Sequence, residues 1–192
     1  MIGRTHDMAA ITILGVVFVL MPPQQLSLAT LIVAVLANLI GGITPDIDQP
    51  TAPFWRNLPV GPFFGRIFGR LLGGHRFITH SLLGVFLAGY AAHLFLLFLQ
   101  PVMGSINIDI VWWSFMIGIL SHLLMDTFTK EGVPWLLPVP VKFGIPPIRA
   151  WRITTDKKIE NLIVFPGLLL FNAWFYFQNY EHVVTLLRQI TY

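Results

Sequence analysis

Five long apolar runs, separated by polar or proline-rich breaks, dominate the pattern of the chain. They cover Met8–Met21, Leu26–Ile43, Thr79–Leu99, Ile108–Phe128 and Ile159–Phe177, and a short tail follows. A helix needs about 20 apolar residues to cross a bilayer, and four of the runs come close to that length. The first run is short enough for a signal-peptide core, but no small-residue cleavage site follows it. The pattern predicts an all-α fold: a polytopic membrane helical bundle of about five transmembrane helices in a single domain, residues 1–192.

Two long polar segments, Thr44–Ile78 and Thr129–Lys158, interrupt the apolar pattern. In the first, Phe63–Leu72 alternates aromatic and aliphatic residues with two arginines, so we expect an amphipathic helix at the membrane interface. The second is rich in proline and carries six lysines or arginines. Its apolar part, Val133–Val141, is expected in the headgroup region.

Composition supports a membrane protein and excludes some kinds of site. Only 11% of the residues are charged, against about 25% in a typical soluble domain, and the mean hydropathy is +0.73. The absence of cysteine excludes disulfides and thiolate metal sites. The formal net charge of +3 is too small to indicate nucleic acid as a partner, and none is expected.

The basic residues predict an orientation. If the N-terminus is cytoplasmic and there are five spans, eleven of the 12 lysines and arginines lie on the cytoplasmic side. Membrane proteins show this positive-inside bias in their short loops. Both long loops are then cytoplasmic.

The same topology brings nearly all acidic and histidine side chains to the cytoplasmic face, at the ends of the spans. The predicted metal ligands among them are His6, Asp46, Asp48, His80, His122, Asp126 and Glu160. His122 and Asp126 are four residues apart, so they share one helix face with about 5–6 Å between Cβ atoms. Two carboxylates 4 Å apart repel by about 4 kcal/mol at an effective dielectric constant near 20. One or two divalent cations offset that repulsion, and mixed histidine and carboxylate ligation suits Zn, Mn or Fe better than Ca.

A site of this kind is suited to a phosphate ester. Three spans bring their helix N-termini to the same face, where anions are favoured, and Thr5 and Thr79 are the predicted N-caps. We predict that His75, Arg76 and Thr79 are the catalytic, substrate-facing groups. A bound metal lowers the pKa of water and so produces a nucleophile near neutral pH.

Simpler interpretations stay open at this point. Asp46 and Asp48 can end a helix in water, and His122 and Asp126 can form a buried hydrogen-bonded pair. Arg76 can be a plain anchor to lipid headgroups. As alternatives to a phosphoesterase, the residues also fit a metal-dependent amide or ester hydrolase, a non-catalytic membrane partner protein stabilised by metal, or an ion transporter. The last needs ionisable residues through the depth of the bilayer, whereas here they gather at one face.

Four motifs carry a family resemblance: Pro-Asp-Ile-Asp-Gln-Pro (45–50), His-Arg-Phe-Ile-Thr-His-Ser-Leu-Leu (75–83), Leu-Ser-His-Leu-Leu-Met-Asp (120–126) and Thr-Lys-Glu-Gly-Val-Pro-Trp-Leu-Leu-Pro (129–138). The chain resembles the YdjM-like, LexA-regulated family of metal-dependent hydrolases of the bacterial inner membrane. That family is in turn similar to zinc-dependent phospholipase C and P1-type nucleases. The resemblance implies a multinuclear zinc site, with one to three ions per chain, and hydrolysis of phosphate esters.

Two positions depart from the family pattern. Phe77 stands where members usually have glycine, and Asp156 lies where glycine usually precedes the glutamate that corresponds to Glu160. Because the site lies at the membrane surface, the expected partner is a membrane lipid or lipid-linked substrate. The sequence leaves open whether the chain acts as a monomer or a homodimer.

Overall fold

The computed structural model describes residues 1–139, 141–155 and 158–191, and its regular elements are helices. In chain order they are α1 (Gly3–Leu20), α2 (Leu28–Ile43), α3 (Pro53–Arg56), α4 (Gly61–Leu71), α5 (Leu82–Met103), α6 (Ile108–Thr127), α7 (Phe165–Gln178) and α8 (Tyr180–Thr191). A 3-10 turn over Thr44–Asp48 prolongs α2, and a π turn over Glu160–Val164 leads into α7. Within the described ranges, β-structure is limited to two isolated bridges.

Five helical segments are long and apolar enough to cross a membrane: Gly3–Leu20, Leu28–Asp48, Leu82–Met103, Ile108–Thr127 and Glu160–Gln178. The prediction of an all-helical bundle with five candidate spans is confirmed. The boundaries differ most in the first three spans, and the second extends to Asp48 instead of Ile43. The first begins at Gly3, and the third continues through Pro101 to Met103.

Helices α2 and α6 form the closest pair. A Cβ atom added at Gly41 would lie 2.1 Å from the Phe115 carbonyl oxygen, and one at Gly118 would lie 2.1 Å from the Asn38 carbonyl oxygen. Between them, Asn38 Nδ2 donates to the Ser114 carbonyl oxygen at 3.0 Å. Small residues and such polar contacts allow helices in membranes to pack closely. The last turns of α6 are therefore held against the end of α2.

Both predicted N-caps are wrong. Thr5 lies inside α1, whose N-cap is Ile2, because the helix begins earlier than the apolar run. Helix α5 is capped by Ser81, whose Oγ accepts a hydrogen bond from the Gly84 amide at 3.1 Å. The Thr79 hydroxyl is engaged with Asp48 instead.

Helix α4 covers the 3-10 turn that follows α2. It matches the amphipathic segment predicted over Phe63–Leu72, and its inner face is formed by glycines. A Cβ at Gly69 would lie 2.5 Å from the Asp48 carbonyl oxygen, so only glycine allows this approach. The outer face exposes Phe63, Phe64, Ile67, Phe68 and Leu71. That this face lies at the membrane interface stays a prediction.

The tail after the last span is an amphipathic helix rather than a plain extension. Leu186 and Ile190 of α8 pack against a cluster at the far end of the bundle that contains Leu14, Phe18 and Leu26. The apolar residues of the tail are too few for a span. They are stabilised by packing against residues that are distant in sequence. Hydropathy alone therefore did not predict this helix.

The second long loop folds back over the end of α6. Its Ile145 amide donates to the Thr127 carbonyl oxygen at 2.9 Å, and its Ile153 amide donates to the Phe128 carbonyl oxygen at 3.0 Å. Val133 and Phe143 exchange both main-chain hydrogen bonds across the loop. The described part of the loop thus covers that end of the bundle.

Candidate metal centre

Several helix ends meet at one end of the bundle and bring the predicted ligands together. His6 lies in the first turns of α1, His80 just before α5, and His122 in the last turns of α6, each with at most 2% of its side chain exposed. Asp126 lies one turn beyond His122 and is equally buried. The 3-10 turn after α2 supplies Asp46, which is 22% exposed. The predicted convergence at one end of the bundle is therefore present in the structure.

Two imidazole nitrogens lie between two carboxylates. His80 Nε2 is 3.8 Å from Asp46 Oδ1 and 3.6 Å from Asp126 Oδ2. His122 Nε2 is 3.7 Å from Asp46 Oδ1 and 3.8 Å from Asp126 Oδ2. These four distances exceed those of hydrogen bonds. Each of the two nitrogens thus lies near both carboxylates.

The three buried Nε2 atoms of this cluster are unpaired. Among the described residues, Nε2 of His6, His80 and His122 has no hydrogen-bond partner. Burying a polar atom without a partner costs a few kcal/mol, so several together are unfavourable unless something binds them. The groups His6, His122 and Asp126, and Asp46, His80 and His122, have their ligand atoms close enough to hold a metal ion.

Hydrogen bonds fix the tautomers of the two central histidines. His122 Nδ1 lies 2.6 Å from the Gly42 carbonyl oxygen, which can only accept, so Nδ1 carries the proton. The Thr79 hydroxyl donates to Asp48 Oδ2, and its oxygen can therefore accept from His80 Nδ1 at 2.9 Å. Both neutral rings then keep a lone pair on Nε2, as metal-binding histidines do.

His6 extends the cluster on the other side of Asp126. Its ring stacks on that of His122, with 3.7 Å between ring centroids and 8° between planes. Its Nε2 lies 3.4 Å from Asp126 Oδ1 without a hydrogen bond. The Met1 amine donates to the same oxygen at 2.8 Å. The two oxygens of Asp126 thus face different partners.

Asp48 holds neighbouring groups in place. It is 2% exposed and accepts from His75 Nδ1 at 2.9 Å, from the Arg76 amide at 3.0 Å and from the Thr79 hydroxyl. It also belongs to a third group with ligand spacing, together with Asp46 and His75. With three donors already on its oxygens, Asp48 is better placed to orient His75 and Thr79 than to bind an ion.

Arg76 lies inside the protein and not on its surface. Its guanidinium forms an ion pair with Asp126 Oδ2 at 2.5 Å and donates to the Thr129 hydroxyl at 2.9 Å. Only 6% of the residue is exposed, so a headgroup anchor does not describe it. Its φ of +59° is rare for a residue with a side chain, and such backbone strain clusters at functional sites.

Glu160 is fully buried at the start of the π turn, where it accepts from the Ile2 amide at 2.7 Å. It belongs to none of the three ligand groups found among the described residues. Its role as a ligand stays a prediction. Of the two family departures, Phe77 lies 42% exposed with its ring against Gly73, and Asp156 falls outside the described residues.

Sequence reasoning missed the residues that support the ligands. Thr129 accepts from Arg76 and donates to the Asp126 carbonyl oxygen at 2.8 Å. Gly42 orients His122 through its main chain. Thr129 lies in one of the quoted motifs and could have been singled out, whereas a carbonyl oxygen leaves no signal in the sequence.

A family model described as "YdjM inner membrane protein" matches residues 1–183. The chain belongs to the YdjM family. The inner membrane protein YdjM of Escherichia coli strain K12 is 33% identical over 137 residues, which are 69% of this chain and 61% of that relative. The YdjM protein of Shigella flexneri matches to the same extent. The chain thus spans under two thirds of the length of these YdjM relatives.

A more distant relative of the chain is the uncharacterized protein YvsG of Bacillus subtilis strain 168. It is 23% identical over 145 residues, which cover 76% of this chain and 79% of YvsG. No solved structure matches the chain.

Proposed function

We propose that this YdjM-family protein is a membrane-bound, metal-dependent hydrolase that cleaves phosphate esters of a phospholipid or lipid-linked substrate. The observation that carries the proposal is the set of buried, unpaired Nε2 atoms of His6, His80 and His122 that gather around Asp126. In the proposed topology the N-terminus and the site face the cytoplasm, because eleven of the 12 basic residues then lie on that side.

The donor atoms favour zinc at the central position. A tetrahedral zinc ion with bonds of about 2.0–2.1 Å separates its ligand atoms by about 3.3–3.4 Å. Four of the six ligand–ligand distances of such a site, those that link His80 and His122 to Asp46 and Asp126, measure 3.6–3.8 Å and would shorten by a few tenths of an ångström. The same donors also suit Mn or Fe.

The available ligand atoms allow two ions. His122 offers only Nε2, because its Nδ1 is committed to Gly42, so one ion uses it. Asp126 Oδ1 and His6 then offer a start for a second ion beside the first. When bound, such ions polarise a phosphoryl oxygen and acidify water.

A proton-transfer group stands beside these ligands. Asp48 Oδ1 holds His75 Nδ1 at 2.9 Å, which leaves the lone pair of a neutral ring on Nε2. The His75 side chain is 34% exposed, so water or substrate can reach it. His75 can therefore take a proton from an attacking water or return one to a leaving group. Arg76 and Thr79 position Asp126 and His80 in this scheme.

An apolar cavity supports an amphiphilic substrate. It has a volume of about 230 Å³, and its lining includes Ile47 of the 3-10 turn, Leu87 of α5 and Ile78, which lies just before α5. Thr79 also lines it, and the Thr79 hydroxyl contacts Asp48 and His80. An acyl chain in this cavity brings its phosphoryl end toward the metal ligands.

A second candidate function is a metal that only stabilises the bundle. Structural sites are closed, and the three histidines around Asp126 are at least 98% buried. An amide or ester hydrolase would use the same groups as the phosphoesterase. Turnover, together with metal content, separates these functions.

The test compares the purified wild type with Asp126→Asn and His75→Ala, and with His93→Ala as a control at a histidine far from the centre. Metal content is measured by elemental analysis, and turnover on phospholipids and bis-4-nitrophenyl phosphate is measured with added zinc or manganese. Asp126→Asn should lose both metal and turnover. His75→Ala should keep its metal and lose turnover by about 100-fold or more.

Full metal occupancy without turnover of any phosphate ester in the wild type contradicts the proposal and favours the structural metal. Turnover that survives in Asp126→Asn contradicts it as well.

A further inference from the structure

The second long loop carries a basic pocket that the metal centre does not use. Lys130, Lys142, Arg149 and Arg152 line a cavity of about 360 Å³ together with one acidic residue, Glu131. Four cations facing a single carboxylate repel one another. An anion in the cavity relieves that repulsion.

Main-chain contacts hold these cations together although they are distant in sequence. Arg149 Nε donates to the Lys130 carbonyl oxygen at 3.1 Å, which ties the two ends of the loop. Arg152 donates to the carbonyl oxygens of Pro146 and Pro147 at 2.7 Å and 3.0 Å. Each guanidinium has five N–H groups, so both keep donors for an anion while their orientation is fixed.

The surface around the pocket is apolar. The loop residues with 41–72% exposure include Val139, Val141, Phe143, Ile145, Ile148 and Trp151. A patch of this kind marks a membrane or protein contact rather than a surface facing water. Cations beside exposed aliphatic and aromatic side chains fit the level of the lipid headgroups, where phosphates meet the acyl chains.

The loop also lies at the end of a candidate span, where contact with lipid headgroups is expected. The Ile145 amide is bonded to the Thr127 carbonyl oxygen at the end of α6, one of the five candidate spans. Both YdjM relatives are described as inner membrane proteins. Basic pockets beside span ends bind anionic lipid headgroups in other membrane proteins.

We propose that this basic pocket binds the phosphate of an anionic phospholipid headgroup. The lipid is a bound partner and not the hydrolysed substrate, so the inference does not depend on the proposed function. The bound lipid holds the loop against the membrane directly beside the metal centre. Lys130 follows Thr129, whose hydroxyl accepts from Arg76, and Arg76 pairs with Asp126.

The experiment is native mass spectrometry of the full chain in detergent, with phosphatidylglycerol and phosphatidylcholine offered together. The test variant is Lys130→Gln with Lys142→Gln, which keeps both arginines and their main-chain bonds. The matched control is Arg66→Gln with Arg70→Gln, which removes two exposed cations from α4. The wild type should retain phosphatidylglycerol at least tenfold over phosphatidylcholine.

The lysine variant should lose that preference by at least tenfold, since each basic side chain near an anionic surface contributes about a fivefold factor. The control should change by less than twofold. Lys142→Glu, at an exposed position, should weaken binding about fivefold or more and serves if the double variant fails to fold.

Three results overturn the inference. Equal retention of the two lipids shows that no anionic headgroup is selected. An equal loss in the α4 control shows a general charge effect. Displacement of phosphatidylglycerol by inorganic phosphate at the same concentration shows a site for a soluble anion and not for a lipid.

Discussion

At the end of the bundle opposite the metal centre, helix caps and apolar side chains close the structure. The Ser27 hydroxyl accepts from the Thr30 amide at 3.1 Å, and the Asn107 side chain caps α6 in the same way. The Thr30 hydroxyl in turn accepts from the Asn107 amide. At the metal-centre end, the Nε2 atoms of His80 and His122 are buried without hydrogen bonds. Polar groups are therefore hydrogen-bonded at one end of the bundle, whereas several are buried and unpaired at the other.

The two ends differ in what their polar groups contribute to the stability of the protein. Paired polar groups contribute about 1 kcal/mol each, whereas unpaired buried ones cost about 1–3 kcal/mol each. The unpaired groups thus make the metal-centre end unfavourable, and the proposed cation would offset that cost. We expect changes at the capped end to alter stability alone, and changes at the other end to alter ion binding first.

The largest expected effect is that of His122→Ala, compared with His93→Ala. His122→Ala should lose nearly all bound metal, because His122 Nε2 belongs to two of the three ligand groups. A chelator should lower the unfolding temperature of the wild type and of His93→Ala, since a ligand at about 1,000 times its Kd stabilises by about 4 kcal/mol. It should leave that of His122→Ala unchanged. A wild type that is insensitive to the chelator would remove the proposed difference between the two ends.

Gly118→Ala should weaken both fold and site. Its new Cβ would lie 2.1 Å from the Asn38 carbonyl oxygen and forces α2 and α6 apart, at a cost of about 1–3 kcal/mol. Metal affinity should fall as well, because the Gly42 carbonyl that orients His122 moves away. Gly167→Ala in α7 is the control, since a Cβ there meets nothing within 4 Å. Thermal unfolding and metal titration measure both effects, and equal behaviour of the two variants contradicts the prediction.

The smallest effects come from two matched caps, Ser27→Ala at the capped end and Ser81→Ala at the metal end. Each hydroxyl accepts from an amide at 3.1 Å, so each change should cost about 1 kcal/mol of stability. Only Ser81→Ala should also lower metal affinity, by a few-fold, because Ser81 follows His80 directly. Identical metal titrations of the two variants would show that the cap does not position His80.

The sequence predicted the five spans and their shared polar end because both follow from simple constraints. A span needs a minimum apolar length, and helix ends alternate between the two faces. Thus Ile108–Thr127 was placed to within one residue. The paths of the turns between the helices are not constrained in this way, so the burial of Arg76 and the hydrogen bonds of Asp48 could not be read from hydropathy.

Elements that depend on tertiary contacts were predicted least well. Helix α8 has too few apolar residues for a span and is stabilised by contact with the bundle. The Thr79 hydroxyl serves Asp48 instead of capping α5, because the 3-10 turn after α2 brings that carboxylate close. Both outcomes depend on which segments meet in space.

The bond between His122 Nδ1 and the Gly42 carbonyl oxygen links the chemistry to helix registry. The ring belongs to α6 and the carbonyl to α2, so the direction of Nε2 depends on how far one helix has slid along the other. A shift of one turn, about 5.4 Å, removes the acceptor and frees the ring to rotate. In the proposed metalloprotein, ion binding would therefore be coupled to a single alignment of two helices, and a spectroscopic ion such as Co²⁺ would report that alignment.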